Sequence, residues 1–232
     1  MALARSVASR IDASFLHGRP VRAAGDRRFG RDAAGVTPAR PRRGAAPPRV
    51  AGPNGAGKST FVENFLRPTG ILVVNPDEVA RGLSPDTPEA IAYEAARVAD
   101  TWRRDLVARG VSVCMETVFS DPHGAKLAFL KECQSQGYVA VLIFIGLDSA
   151  DLSRGRVMER VEAGGHDVPD EKIAARFPRT FTNLRQALSF VNQALLFDNS
   201  SADEPYRFVA EFRDGKRRRR KGFRPAWAAF LD

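Results

Sequence analysis

From residue 50 onward, short apolar runs alternate with helical stripes, the pattern of a parallel α/β sheet. Ile71 to Val74 is a continuous apolar run stopped by Asn75-Pro76 and reads as a buried strand. Val111 to Met115, Val139 to Ile145 and Leu195 to Phe197 read as three further strands. Between them fall helices at Ser59 to Leu66, Ala125 to Gln136, Leu152 to Val161 and most of Ile173 to Leu195. Another opens near Pro88 and ends at Gly110, with Ile91, Ala95, Val98, Trp102 and Leu106 on one apolar stripe. Arg207 to Phe212 then alternates, Asp214-Gly215 is a tight-turn dipeptide, and Lys216 to Lys221 follows. That is a hairpin whose outer strand is basic, one way proteins protect a sheet edge. Pro225 to Leu231 is expected to pack a terminal aromatic turn back on the body.

The first 49 residues have no sustained apolar periodicity and are rich in Ala, Arg, Gly and Pro, the composition of a disordered extension. No apolar core follows a basic start, so the segment is not a secretory signal. Arg5, Arg10, Arg19 and Arg22 with few acids also fit an organelle transit peptide, a reading given less weight because short Arg/Ala stretches are common. The expected division is therefore an extension over 1–49 and a single domain over 50–232.

Charge sharpens this division. The net charge of the chain is +9, but residues 1–49 carry +8, residues 50–215 carry −5 and residues 216–232 carry +6. An acidic body with basic ends argues against a nucleic-acid surface. No run of 18 apolar residues offers a membrane span. Cys114 and Cys133 make no metal spacing and read as reduced, buried thiols in a reducing compartment, so a cytoplasmic location is expected.

The chemistry concentrates in Gly52-Pro53-Asn54-Gly55-Ala56-Gly57-Lys58-Ser59-Thr60, a phosphate-binding loop followed by a helix. Its glycines let the backbone approach phosphate oxygens, and the helix aims N–H groups at them. Lys58 brings a positive charge to the β- and γ-phosphates, and Ser59 offers a hydroxyl to Mg²⁺. The strand that should feed such a loop is the anomaly: Pro47-Pro48-Arg49-Val50 stands where a buried apolar strand belongs. Only Arg49 to Ala51 are expected to pair there, as a stub.

Strand ends in an open α/β sheet face the ligand crevice. Asp77, after the first strand beyond the loop, is either a general base or a helix cap. Glu116, with Thr117 beside it, is placed to follow its strand in the same way and to orient a metal-bound water or a substrate hydroxyl; the alternative is an ordinary strand-end polar residue. Arg154, Arg156, Arg160, Arg176 and Arg179 flank Gly164-Gly165-His166, an arrangement suited to a mobile lid over phosphates. A solvated helix face is the competing reading and is preferred for Arg154. His166 reads as a turn-shaping residue.

AGPNGAGKSTF, NPDE, ETVFS, RVMERVEAGGHDVPDEKIAARF and FDNS, in that order, closely resemble the zeta-toxin family of P-loop kinases, in its GGH-containing branch. The resemblance implies a mainly parallel sheet flanked by helices, with ATP and Mg²⁺ as cofactors. It further implies phosphorylation of a hydroxyl of UDP-N-acetylglucosamine or a similar sugar nucleotide, with an antitoxin protein as partner. By position, Lys58 and Ser59 match the phosphate and metal contacts, Asp77 the general base, and Glu116 and Thr117 the substrate-contacting pair. Arg160 and Arg176 are the chosen lid arginines, with Arg156 and Arg179 left open, and Asn199 borders the adenine.

Two departures from the family stand out: the degraded first strand and the Arg-rich extension. A shifted start or an altered reading frame upstream of the loop would account for both. They motivate a competing reading, a nucleotide-binding module with impaired catalysis. A nucleic-acid binder or polynucleotide kinase rests on the basic ends alone.

Overall fold

The computed structural model describes residues 48–165, 167–220 and 222–231. The extension expected over 1–49 thus lies almost wholly outside the described residues, as does the turn role given to His166. Seven strands form one sheet: β1 (Arg49–Ala51), β2 (Leu72–Val74), β3 (Val113–Thr117), β4 (Val141–Gly146), β5 (Gln193–Asp198), β6 (Arg207–Arg213) and β7 (Lys216–Arg220). Their spatial order is β2-β3-β1-β4-β5-β6-β7. The first five are parallel, and the hairpin β6–β7 adds antiparallel to one edge. Helices α1 (Lys58–Phe61), α2 (Pro76–Leu83), α3 (Ala92–Ala108), α4 (Ala125–Ser135), α5 (Ala150–Glu162) and α6 (Asp170–Leu188) connect and cover the parallel strands.

β1 pairs only through Arg49, Val50 and Ala51, between β3 and β4. Pro48 has no N–H for the ladder, yet its carbonyl accepts from Met115 N at 3.0 Å. The pleat sends Val50 to the core beneath α1, with Phe61, Ile143, Ile145 and Phe197. Ala51 faces the opposite core, with Leu130, Phe144, Leu196 and Trp227. Arg49 is buried on that second side; among the described residues its guanidinium meets Met115 Sδ at 3.5 Å and the Phe129 ring.

Three expectations need correction. α1 starts at Lys58 and passes into a π-turn (Val62–Leu66) and a 3₁₀ turn (Arg67–Thr69). β3 runs on to Thr117, so Glu116 lies inside the strand, opposite Val50, and does not follow it. On α3 the buried positions are Ala95, Ala99 and Val107, while Val98 and Trp102 are 47% and 44% exposed. Ala99 and Val107 pack with Val74, Val113, Met115 and Phe129, and of the expected stripe Ala95 and the partly buried Leu106 do face inward.

The C-terminal expectations hold. Asp214 and Gly215 take φ of 48° and 73° in the hairpin turn, as the mirror-image turn of a two-residue hairpin requires. Trp227 is buried over Gly146, where an added Cβ would come within 2.2 Å of the indole, and its Nε1 donates to Asp198 at 2.8 Å. Among the described residues no helix is long and apolar enough to cross a membrane.

Candidate active site

The glycine loop sits at the carboxyl edge of the sheet, between β1 and α1. Gly52 (φ +153°) passes so close to β4 that a Cβ would lie 2.1 Å from the Ile145 carbonyl oxygen. Distant side chains hold the loop's carbonyls: Ser153 Oγ donates to Asn54 O at 2.7 Å, Asn199 Nδ2 to Ala56 O at 2.9 Å, and Tyr206 OH to Gly57 O at 2.9 Å. Ala56 N donates within the loop to Pro53 O at 3.3 Å, and with the carbonyls engaged the other loop N–H groups remain for a ligand. Asn199 is itself fixed, because its Oδ1 accepts from Tyr206 N at 3.2 Å and its carbonyl from Arg156 Nη1 at 2.6 Å.

Lys58 is buried, and its Nζ reaches across the loop to Pro53 O at 2.8 Å. Burial, with a smaller push from Arg160, lowers its pKa to about 8 against the upward pull of Glu116 and Asp77. Four of the expected site residues therefore share one electrostatic neighbourhood. Ser59 Oγ donates to Glu116 Oε1 at 2.8 Å, and Asn75 Nδ2 approaches the other carboxylate oxygen at 3.4 Å. Asn75 also caps α2, accepting from Asp77 N at 3.0 Å. Asp77 is thus not the cap; it is exposed in the first turn of α2, its carboxylate free of that duty.

The arginines divide. Arg160 ends α5, where Gly164 (φ +83°) and Gly165 close the helix and Gly165 N donates to Arg160 O at 2.8 Å. The diglycine fits a cap more than a loose hinge, since a Cβ on Gly165 would lie 2.6 Å from Arg160 Cγ. Arg156 belongs to the Asn199 brace and lines a cleft of about 650 Å³ with Gly57, Thr60, Phe65, Arg160 and Tyr206. Arg154 pairs with Asp151 at 2.9 Å on the outer surface. Arg176 lies on the other side of the site, within electrostatic reach of Lys126, and Arg179 is exposed.

Thr117 is buried at the end of β3 and faces α4. Its Oγ1 accepts from Phe119 N at 3.1 Å and from Lys126 Nζ. Sequence reasoning missed Lys126, Ser153 and Tyr206. Each lies in a different element from the group it serves, and no local signal marks it.

The Zeta toxin family model matches residues 47–204. The chain belongs to the Zeta toxin family. An uncharacterized protein of Haemophilus influenzae is 25% identical over 126 residues, which cover 54% of this chain and 88% of that protein. Two solved structures place this member of the family by fold. A chain of the AvrRxo1-ORF1:-ORF2 complex with ATP superposes with a TM-score of 0.58 at 16% identity, over 75% of this chain and 61% of its own length, so this chain spans less than two thirds of that neighbour. A chain from the PezAT chromosomal toxin-antitoxin system of Streptococcus pneumoniae superposes with a TM-score of 0.54 at 15% identity, over 90% and 80% of the two lengths.

Proposed function

We propose that this Zeta toxin family chain is a Mg-ATP-dependent phosphotransferase acting on a hydroxyl of a small molecule, a sugar nucleotide such as UDP-N-acetylglucosamine being the leading acceptor. The observation that carries the proposal is the placement of Lys58, buried in the glycine loop with Asp77, Glu116 and Arg160 in its electrostatic field. The ATP-bound neighbour supports the nucleotide, and the family resemblance supports the acceptor.

Residues 52–60 would cradle the phosphates, Lys58 would neutralise the β- and γ-oxygens, and Asn199 would border the adenine in the cleft beside Tyr206. Ser59 and Glu116 offer hydroxyl and carboxylate oxygens, the donors a hard cation prefers. No cluster of three or more His, Cys, Asp or Glu suited to a metal occurs among the described residues, so phosphate oxygens and water would complete the shell of Mg²⁺. When bound, Mg²⁺ supplies charge neutralisation on the transferring group. Asp77 takes the proton of the acceptor hydroxyl as that oxygen bonds to the γ-phosphorus. The bond to the β-phosphate oxygen breaks, and its electron pair leaves with ADP. Glu116 and Thr117 hold the acceptor, and Arg160 and Arg176 close on the phosphoryl oxygens from two sides.

Residues 50–232 would act as one kinase domain, with 1–49 an extension. The toxin-antitoxin origin of one structural neighbour supports an antitoxin protein as partner. A second reading, a nucleotide-binding module with impaired catalysis, is favoured by the three-residue β1 and its buried Arg49. Incubation with γ-labelled ATP and a panel of sugar nucleotides separates the two. Label on an acceptor supports the kinase; bound ATP with no transfer to any acceptor selects the module. Absence of ATP binding overturns both.

A further inference from the structure

Lys126 lies in the first turn of α4, half-buried, on the face of the sheet opposite Lys58 and Glu116. A hydroxyl oxygen has two lone pairs, and both lone pairs of Thr117 Oγ1 are engaged, by Phe119 N and Lys126 Nζ. The Thr117 proton can therefore only be donated, and no acceptor for it is present among the described residues. Lys126 has two further N–H groups beyond the one given to Thr117.

The surrounding charge is mainly positive. Arg49, Arg103 and Arg176 all act on Lys126, and the acid facing it is Asp121. That carboxylate already caps α4, accepting from Ala125 N at 2.8 Å and Lys126 N at 3.3 Å. This corner offers the two further N–H groups of Lys126 and the Thr117 hydroxyl proton in a mainly positive field. Across the pleat of β3, Glu116 and Asp77 make the reverse, acceptor-rich side. A substrate lying over the end of β3 can give a hydroxyl to the acidic side while an anionic oxygen meets the basic one.

We infer that Lys126, acting with Thr117, is a specificity-determining residue that recognises an anionic oxygen carried by the phosphoryl acceptor. The class it selects is a phosphorylated sugar or sugar nucleotide over the same sugar without charge. This rests on the phosphotransferase reading for the order of events, but binding tests it separately.

The test uses the full chain saturated with Mg²⁺ and a non-hydrolysable ATP analogue, so that the glycine loop is filled. UDP-N-acetylglucosamine, N-acetylglucosamine 1-phosphate and uncharged N-acetylglucosamine are titrated calorimetrically into wild type, Lys126→Met and Lys126→Arg. The expected result is at least tenfold weaker binding of the two charged ligands to Lys126→Met. Partial recovery should appear in Lys126→Arg, with unchanged affinity for the ATP analogue and an undiminished melting temperature. In transfer assays KM should rise more than kcat falls. The inference is overturned if Lys126→Met binds both charged ligands within twofold of wild type. It is also overturned if charged and uncharged sugars lose affinity equally, or if the loaded wild type binds neither charged ligand. Charged-ligand binding that depends on Lys126, without any transfer of labelled phosphate, leaves the inference standing and removes the kinase reading instead.

Discussion

β1 and β4 are neighbours in the middle of one sheet, yet they are built differently. β4 is six residues long, buried throughout, and reads Val-Leu-Ile-Phe-Ile-Gly. β1 is three residues long and spends one of them on a buried arginine whose Nε has no hydrogen-bond partner among the described residues. Burial, with a smaller push from Arg103, lowers the pKa of Arg49 to about 10, the mark of a cation held where it is poorly solvated. The loop that β1 feeds is nevertheless well formed. It is held from the other side, by Ser153 on α5, Asn199 after β5 and Tyr206 before β6, and Gly52 lies directly on the β4 backbone. A short strand therefore costs stability before it costs site geometry, because the loop's bracing comes from the C-terminal half.

If that comparison is right, the chemistry should respond to changes in the site with full amplitude. Asp77→Asn should lower kcat by about 10²–10⁴-fold, the usual range for general-base catalysis, with ATP affinity within twofold of wild type. Wild-type turnover in that variant would reduce Asp77 to a surface residue of α2. On the strong strand, Phe144→Ala removes a fully buried ring that meets Phe181 and Trp227 at centroid distances of 5.7 and 5.6 Å. Chemical denaturation should show a loss of about 3–5 kcal/mol.

On the weak strand the sign reverses. Arg49→Ile should stabilise the chain by about 1–4 kcal/mol, since a poorly partnered buried cation is replaced by a β-branched apolar residue. A lower melting temperature would mean that the Met115 and Phe129 contacts outweigh desolvation. Asn199→Ala tests the bracing itself by freeing the Ala56 carbonyl and the Tyr206 N–H. ATP binding measured by calorimetry should weaken by about 1–3 kcal/mol. An unchanged affinity would return responsibility for the loop to β1.

The smallest effect is in pH. Lys58 and Lys126 are held at about 8, against 10.5 for a free lysine. Between pH 8 and 9 the unfolded chain binds more protons than the folded one, so stability should rise with pH. Above pH 9 the rise should level off, because burial pushes the Cys114 and Cys133 thiols up to about 12 and the protons they keep in the folded state offset those its lysines have lost. ATP affinity should move the opposite way, falling as pH passes 8 and Lys58 loses the charge that faces phosphate. Denaturation and nucleotide titrations run at pH 7.5, 8.5 and 9.5 would detect the crossing trends.

Sequence alone determined the features whose cause is local. The glycine loop, the continuous apolar run of β4 and the Asp214-Gly215 hairpin each follow from backbone freedom, burial or turn chemistry within a few residues. The stub at β1 was legible for the same reason, since Pro48 lacks a ladder donor wherever the chain goes. Tertiary structure decided what depends on which elements meet. It chose Ala95, Ala99 and Val107 for the buried face of α3, because that face is set by where β2, β3 and α4 lie. It gave the cap of α2 to Asn75 and so left Asp77 open to the site. It also brought Ser153, Asn199 and Tyr206 to the loop and Lys126 to Thr117. Those contacts join side chains far apart along the chain, and a hydrogen bond or a local field depends on the final separation in space, which no short-range pattern encodes.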